Sequence, residues 1–175
     1  LLVSIMSMGL GLCLAIITVW AKLIQNRIAK LLANFYTTVI RGVPELLVIY
    51  LIFFGGNAVV MKIAKIFGYN GYIELNAFTI ATIAIAIISA TYSSEVLRAA
   101  YLSISKGQLE AARALGMNKF SIFIKVICPQ VIRYALPGIG NVWQITLKDT
   151  SLISVTGLVE IMRQSRISSN VEHSP

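Results

Sequence analysis

Two long runs of the sequence contain no charged residue, and such runs restrict the possible folds more than any other feature. Residues 1–21 and 75–94 lack Asp, Glu, Lys and Arg altogether. As a helix, the first run would be roughly 31 Å long, which matches the hydrocarbon core of a bilayer. The alternative for this run, a secretory signal peptide, is weaker because the run is too long for a typical apolar core and lacks a basic start. We therefore predict a membrane-spanning helix in each run.

The overall composition agrees with a membrane protein. Only 13% of the residues are charged, 57% are hydrophobic, and the mean hydropathy is +0.81, whereas soluble domains are about 25% charged. These values exclude a disordered chain and a typical cytosolic enzyme. Two cysteines and one histidine provide neither a disulfide framework nor a Cys/His metal cluster, so we predict no metal site.

Two further apolar segments complete the predicted architecture. Residues 46–61 follow Pro44 and Glu45, a pair that suits the start of a helix. Residues 134–158 form a weaker span that contains several polar side chains, which would face a cavity or other helices. The sequence thus predicts an all-α membrane protein that forms one domain over residues 1–175, with four transmembrane helices and a polar tail at 159–175.

The basic residues are concentrated in two connections, which fixes the expected orientation. Residues 22–41 and 95–133 contain ten of the 15 Lys and Arg residues, whereas 62–74 and 159–175 contain four. The positive-inside rule then places the two basic connections in the cytoplasm and the N-terminus outside. This rule accounts for the net charge of +8 without nucleic acid as a partner.

The longer connection, 95–133, is typical of a helix, a turn and a second helix. Gly116 suits the position just after a helix, and Asn118 suits the N-cap of the next one. From Phe120 onwards the apolar positions follow one helical face, which predicts an amphipathic element on the membrane surface. Pro129 is expected to kink or break this second helix.

Part of this connection resembles the EAA loop of ATP-binding-cassette importer permeases. That pattern is Glu-Ala-Ala, three residues, Gly, nine residues, Ile, any residue, Leu and Pro. The chain matches it with Glu110-Ala111-Ala112 and Gly116, then Val126 and Pro129, and it departs from it at Cys128. The resemblance implies that residues 107–116, the EAA segment, dock into an ATPase subunit. The coupling residues it indicates are Gly107, Glu110, Ala111, Ala112, Leu115 and Gly116.

Two further motifs are Arg41-Gly42-Val43-Pro44-Glu45-Leu46-Leu47 and Tyr92-Ser93-Ser94-Glu95-Val96-Leu97-Arg98. They are similar to motifs of the polar amino acid branch of this family, which transports histidine, arginine, glutamine and opines. They cover most of residues 34–160, with the closest likeness to the histidine, arginine and opine permeases at 136–144. The signature residues are Arg41, Gly42, Pro44, Glu95, Arg98, Pro129, Pro137 and Gly138.

This resemblance implies a multi-pass subunit in the inner membrane of a bacterial cell, surrounded by membrane lipid. Its expected partners are an ATP-binding subunit dimer, an identical or related second permease, and a periplasmic or lipid-tethered amino-acid-binding protein. The chain has no Gly-rich phosphate-binding loop with Lys-Ser/Thr. It is therefore expected to be no enzyme and to bind no cofactor itself, with ATP and Mg²⁺ held by the partner ATPase.

The charged pair Lys148-Asp149 lies within the fourth predicted span, where a charge is costly unless it faces a cavity or a partner. In one interpretation, Asp149 offers its carboxylate to a cationic solute, with Thr150 and Ser151 as hydrogen-bonding neighbours in the substrate pathway. In the other, Lys148 and Asp149 lie near the cytoplasmic end and snorkel or pair with a neighbouring subunit. Glu95 and Arg98, three residues apart, are predicted to form a surface pair.

The predicted function is that of an importer permease for basic or polar amino acids, with glutamine or another neutral polar amino acid as the alternative substrate. An ion-coupled secondary carrier is an alternative class, but such carriers usually contain a repeat, and we found none. A structural scaffold is disfavoured by the intramembrane Asp149 and the complete EAA spacing. Members of the family usually have one more span after the fourth, so the resemblance implies that the last span is missing here.

Overall fold

In the computed structural model, which describes residues 2–66, 68 and 77–172, the chain is helical. The described part contains seven α-helices and one π-helical turn. Their bounds are Leu2–Leu23 (α1), Arg27–Gly42 (α2), Glu45–Ile66 (α3), Ala77–Leu102 (α4), Lys106–Ala114 (α5), Lys119–Ile122 (α6), Phe123–Ile127 (the π-turn) and Cys128–Glu172 (α7). The prediction of an all-α fold is confirmed.

Several of these helices are long and apolar enough to cross a membrane. Within the described residues they are α1, residues 78–102 of α4, and the continuous stretch 119–151. Residues 45–56 of α3 give a fourth candidate, because they pass the same test of length and composition together with α2, whose axis meets theirs at 108°. This agrees with the expected number of spans.

Helix α4 is the centre of the bundle, because α1, α3 and α7 all pack against it. Its sequence is rich in small side chains, which let neighbouring helices approach closely where lipid supplies no hydrophobic driving force. Ala84 and Ile88 form a buried cluster with Val48 and Ile49 of α3. The core therefore lies along α4, and the outer faces of α1 and α7 remain exposed.

Helices α1 and α4 approach each other closely at Gly11. A Cβ atom added there would lie 3.2 Å from the backbone oxygen of Ala86 and would collide with the Ser89 hydroxyl. One turn away, the Ser7 hydroxyl donates a hydrogen bond to the Thr82 carbonyl oxygen across the same interface (3.1 Å). The absence of a side chain at Gly11 therefore sets the spacing of these two helices.

We expect Gly11→Leu to lower the free energy of unfolding by about 1–3 kcal/mol, the usual cost of overpacking. Gly9→Leu is the matched control, since Gly9 lies on the same helix and a Cβ atom added there would meet no other atom within 4 Å. Thermal unfolding of both variants in detergent measures the difference. Equal melting temperatures would show that Gly11 does not control the α1–α4 contact.

The helix ends differ from the ranges expected from charge alone. Helix α4 continues to Leu102, and α7 already begins at Cys128, because a helix can carry charged residues beyond the apolar part of a span. The segment between these helices is correspondingly shorter than 95–133. The expected polar tail at 159–175 continues α7 as far as Glu172, and its last residues lie outside the described part of the chain.

Of the two outcomes expected at Pro129, a break does not occur, because the second helix continues into α7. The placement of its amphipathic part on the membrane surface stays a prediction. Pro129 is the second residue of α7, and the preceding residues 123–127 widen into a π-turn in which the Cys128 N–H bonds to the Phe123 carbonyl. A local π-turn can absorb the missing proline N–H and the steric demand of its ring. Residues 119–151 consequently form one continuous helical stretch.

Candidate functional site

A buried polar group joins α1, α2 and α4. The ammonium group of Lys22, whose side chain is only 2% exposed, forms an ion pair with Glu95. Lys22 Nζ also donates a hydrogen bond to Thr37 Oγ1 at 2.8 Å. Because an isolated charge inside a protein is costly, this pairing explains how Lys22 is accommodated. Charge counting along the sequence treats Lys22 only as a loop charge and does not reveal this role.

Glu95 has a second basic neighbour, Arg98, at 3.6 Å between Nη1 and Oε2. This is the contact expected from the sequence, but Glu95 also reaches the more deeply buried Lys22. A pocket of about 390 Å³ opens beside the pair. It is lined by Lys22, Asn34, Thr37, Thr38, Arg41, Gly42 and Glu95.

A second polar group lies where α3 begins, beside α4 and α7. The Tyr92 hydroxyl donates a hydrogen bond to Glu45 Oε1 (2.9 Å), and the carboxyl group of Asp149 lies next to that of Glu45. Arg41 lies over the Tyr92 ring at 5.8 Å from its centroid. Asp149 is buried, with 4% exposure. The structure therefore brings together Glu45 and Asp149, a pairing that sequence reasoning missed.

Thr150 and Ser151 do not join this group. Their hydroxyls donate to carbonyl oxygens of their own helix, Leu147 at 2.6 Å and Lys148 at 2.5 Å. Such bonds to the preceding turn are the usual outcome for Ser and Thr inside a helix. Of the three residues predicted for the substrate pathway, the structure places only Asp149 in the polar group around Glu45.

The EAA segment forms α5 and the turn that follows it. Gly116 has a φ of +74°, its N–H bonds to the Arg113 carbonyl (2.9 Å), and the next N–H bonds to Ala112 (3.1 Å). These bonds form a Schellman motif, in which glycine is favoured because it has no Cβ. Asn118 caps α6 by accepting a hydrogen bond from the Ser121 N–H (2.8 Å). Both local predictions for this turn are confirmed.

The predicted coupling residues lie mostly on the open side of the EAA segment. Leu115 is 82% exposed, and Gly107, Glu110, Ala111 and Gly116 are also exposed. Ala112 is buried, and a hydrogen bond from Gln130 to Gln108 (2.8 Å) ties α5 to α7. The segment is therefore held on one face and presents an apolar and acidic surface on the other.

The signature residues mark helix ends and helix contacts. Arg41 and Gly42 end α2, and the Pro44 carbonyl accepts the first hydrogen bonds of α3. Pro137 lies within α7, and a Cβ at the neighbouring Gly138 would lie 2.6 Å from Val96 of α4. Among the described residues, no group of three His, Cys, Asp or Glu side chains could hold a metal ion.

The chain is similar to several curated permease proteins. It is 43% identical to the octopine transport system permease protein OccQ of Rhizobium radiobacter, a match that covers 95% of this chain and 70% of the relative. It is 51% identical to the nopaline transport system permease protein NocQ of Agrobacterium fabrum (89% and 66% covered). Identity is 35% with the histidine/lysine/arginine/ornithine transport system permease protein HisQ of Escherichia coli (98% and 75% covered).

A solved structure and a family model agree with these relatives. A crystal structure of an amino acid ABC transporter with histidines matches with a TM-score of 0.72 and 32% identity, covering 98% of this chain and 75% of that one. The model for the "Binding-protein-dependent transport system inner membrane component" matches residues 8–173. The resemblance detected in the sequence is thus confirmed, and the chain belongs to the family of binding-protein-dependent transport system inner membrane components.

Proposed function

We propose that this protein is the permease subunit of an ATP-binding-cassette importer that moves basic amino acids or related cationic solutes across the bacterial inner membrane. Family membership supports the permease role. The named solutes of the similar proteins, among them octopine, nopaline, histidine and arginine, support an amino acid substrate. Family membership also favours this function over the ion-coupled secondary carrier considered from the sequence.

The proposal of a cationic substrate is supported by one observation: the carboxyl groups of Glu45 and Asp149 lie next to each other. Neither carboxyl forms an ion pair with Lys or Arg in the described part of the chain. Two neighbouring carboxylates repel each other, which favours a proton or a cation between them. An ammonium or guanidinium group of a solute can supply that positive charge and bond to both side chains.

We expect Asp149→Asn and Glu45→Gln each to reduce uptake of arginine by about tenfold or more, since a hydrogen bond to a charged group contributes about 1.5–3 kcal/mol. Uptake of glutamine should change far less. The measurement is transport of both radiolabelled amino acids into proteoliposomes that contain the complete importer.

Gly140→Ala is a suitable control, because it lies on the same helix and a Cβ there meets no other atom within 4 Å. This variant should transport both amino acids normally. If the Asn and Gln variants lose arginine and glutamine uptake equally, the charge-recognition role of the two carboxyl groups is rejected.

The proposed coupling to ATP hydrolysis rests on the EAA segment. Its exposed Glu110, Ala111 and Leu115 form a slim surface, held from behind by Ala112, that can enter a groove on an ATPase subunit. ATP and Mg²⁺ would be bound there and not by this chain. Co-purification tests the contact: the ATPase should be retained by the unaltered chain and lost when residues 107–116 are replaced.

The remaining partners follow from the proposed orientation. With the basic connections in the cytoplasm, α5 faces the ATPase dimer and the N-terminus lies on the outer side. A periplasmic or lipid-tethered binding protein would deliver the solute there, and a second permease, identical or related, would complete the pathway. Protease accessibility of tags at the N-terminus and in the EAA segment distinguishes this orientation from its reverse.

A further inference from the structure

Helix α2 exposes an apolar face that no described part of the chain covers. The face repeats at helical spacing, and Ile28 and Leu31 are each 70% exposed, with Phe35 at 67%. It consists of Ile28, Leu31, Leu32, Phe35 and Val39. The opposite face packs on the bundle through Ala33 and Thr37, which are buried. The helix is therefore held in place on one side and apolar on the other.

Two exposed basic residues lie outside this apolar face. At 100° per residue, Arg27 lies at the edge of the face, about 40° from Leu31, whereas Lys30 lies on the polar side, about 20° from Thr37. Neither residue has an ion-pair partner in the described part of the chain. No Asp or Glu precedes Glu45 in the sequence, so the positive charge of α2 is not neutralised by acidic residues nearby in the chain.

The angle between α2 and α3 indicates how α2 is oriented relative to the membrane. Its axis makes an angle of 108° with the first part of α3. If α3 crosses the bilayer, α2 must lie close to the membrane plane. Trp20, at the adjoining end of α1, is 68% exposed, and exposed tryptophans are typical of the membrane interface.

We propose that α2 is an interfacial anchor that binds anionic lipid of the cytoplasmic leaflet. Its apolar face enters the boundary between headgroups and acyl chains. Arg27, at the edge of that face, contacts a lipid phosphate, and the exposed Lys30 adds positive charge beside it. An in-plane helix with one apolar face and unpaired basic residues fits such a surface, and the cytoplasmic leaflet carries the negative charge that complements it. The proposal rests on the orientation proposed above, but not on the identity of the solute.

Fluorescence quenching by brominated lipids tests this contact directly. A single tryptophan is placed on the apolar face by Phe35→Trp, with Trp20 and Trp143 replaced by Phe, and the protein is reconstituted in nanodiscs. Phosphatidylglycerol and phosphatidylcholine are compared at equal mole fraction, with bromine on the acyl chains of one lipid at a time. We expect brominated phosphatidylglycerol to quench more strongly, with a preference that falls up to about fivefold for each basic residue removed.

The double variant Arg27→Gln/Lys30→Gln should therefore lose the preference for phosphatidylglycerol. The control Lys62→Gln/Lys65→Gln also removes two positive charges, but near the far end of α3. This control should retain the preference for phosphatidylglycerol. Equal quenching by the two lipids in the single-tryptophan protein with Arg27 and Lys30 intact would overturn the proposal. Absence of quenching would also overturn it, because it would mean that protein covers the apolar face. A retained lipid preference with no amino acid uptake would contradict the proposed transport function and leave this inference standing.

Discussion

Replacing Glu95 with Gln is expected to lower the free energy of unfolding by about 3 kcal/mol. The substitution would leave the ammonium group of Lys22 buried and without a counter-charge. Breaking a buried ion pair by removing one partner costs about 3–5 kcal/mol, and the lower end applies because Glu95 is 29% exposed. Lys22→Met should cost less, since Glu95 would keep its contact with Arg98 and some contact with solvent.

Thermal unfolding of the single variants and of Lys22→Met/Glu95→Gln in nanodiscs measures this asymmetry. The double variant should be more stable than Glu95→Gln alone, because it leaves no unpaired buried charge. Arg98→Gln is the control: as an exposed neighbour it should change stability by less than about 1 kcal/mol. Equal losses for Glu95→Gln and Arg98→Gln would show that the Lys22 pair does not hold α1 against α4.

Features set by neighbouring residues were predictable from the sequence. The spans follow from the length of the apolar runs, and the turn after α5 follows from Gly116 and Asn118, because helix capping depends on a few consecutive residues. Pro129 shows where such local rules end: a kink or a break was expected, and the structure places a π-turn directly before Pro129 within a helix that does not break.

The polar groups inside the bundle could not be deduced in the same way, because their members are far apart in the sequence. Lys22 and Glu95 are separated by 73 residues, and the Glu45–Asp149 contact joins α3 to α7. One signal was available for Lys22. It continues a stripe of small buried residues on α1 at intervals of three and four, namely Ser4, Ser7, Gly11, Ala15 and Thr18. A lysine on that face had to be buried and therefore paired.

Replacing Gly116 with Val is expected to abolish ATP-driven uptake while leaving insertion of the permease intact. Gly116 has a φ of +74°, and a Cβ there would meet no atom within 4 Å. The penalty therefore comes from the backbone conformation and not from a clash. The left-handed region costs ordinary residues roughly 1–2 kcal/mol, and more for a β-branched side chain. The turn should rearrange and move Glu110 and Leu115 out of the geometry required for docking.

Gly116→Asn distinguishes an effect of backbone conformation from an effect of side-chain size, because Asn is similar in size to Val but adopts the left-handed conformation more readily. The Asn variant should therefore show much more uptake than the Val variant. The measurements are amino acid uptake and ATPase stimulation by the loaded binding protein, with membrane insertion checked by fractionation. Normal coupling in the Val variant would remove the EAA segment from the coupling mechanism. Equal losses with Val and Asn would instead mean that the ATPase contacts Gly116 itself, since no side chain would then be tolerated at that position.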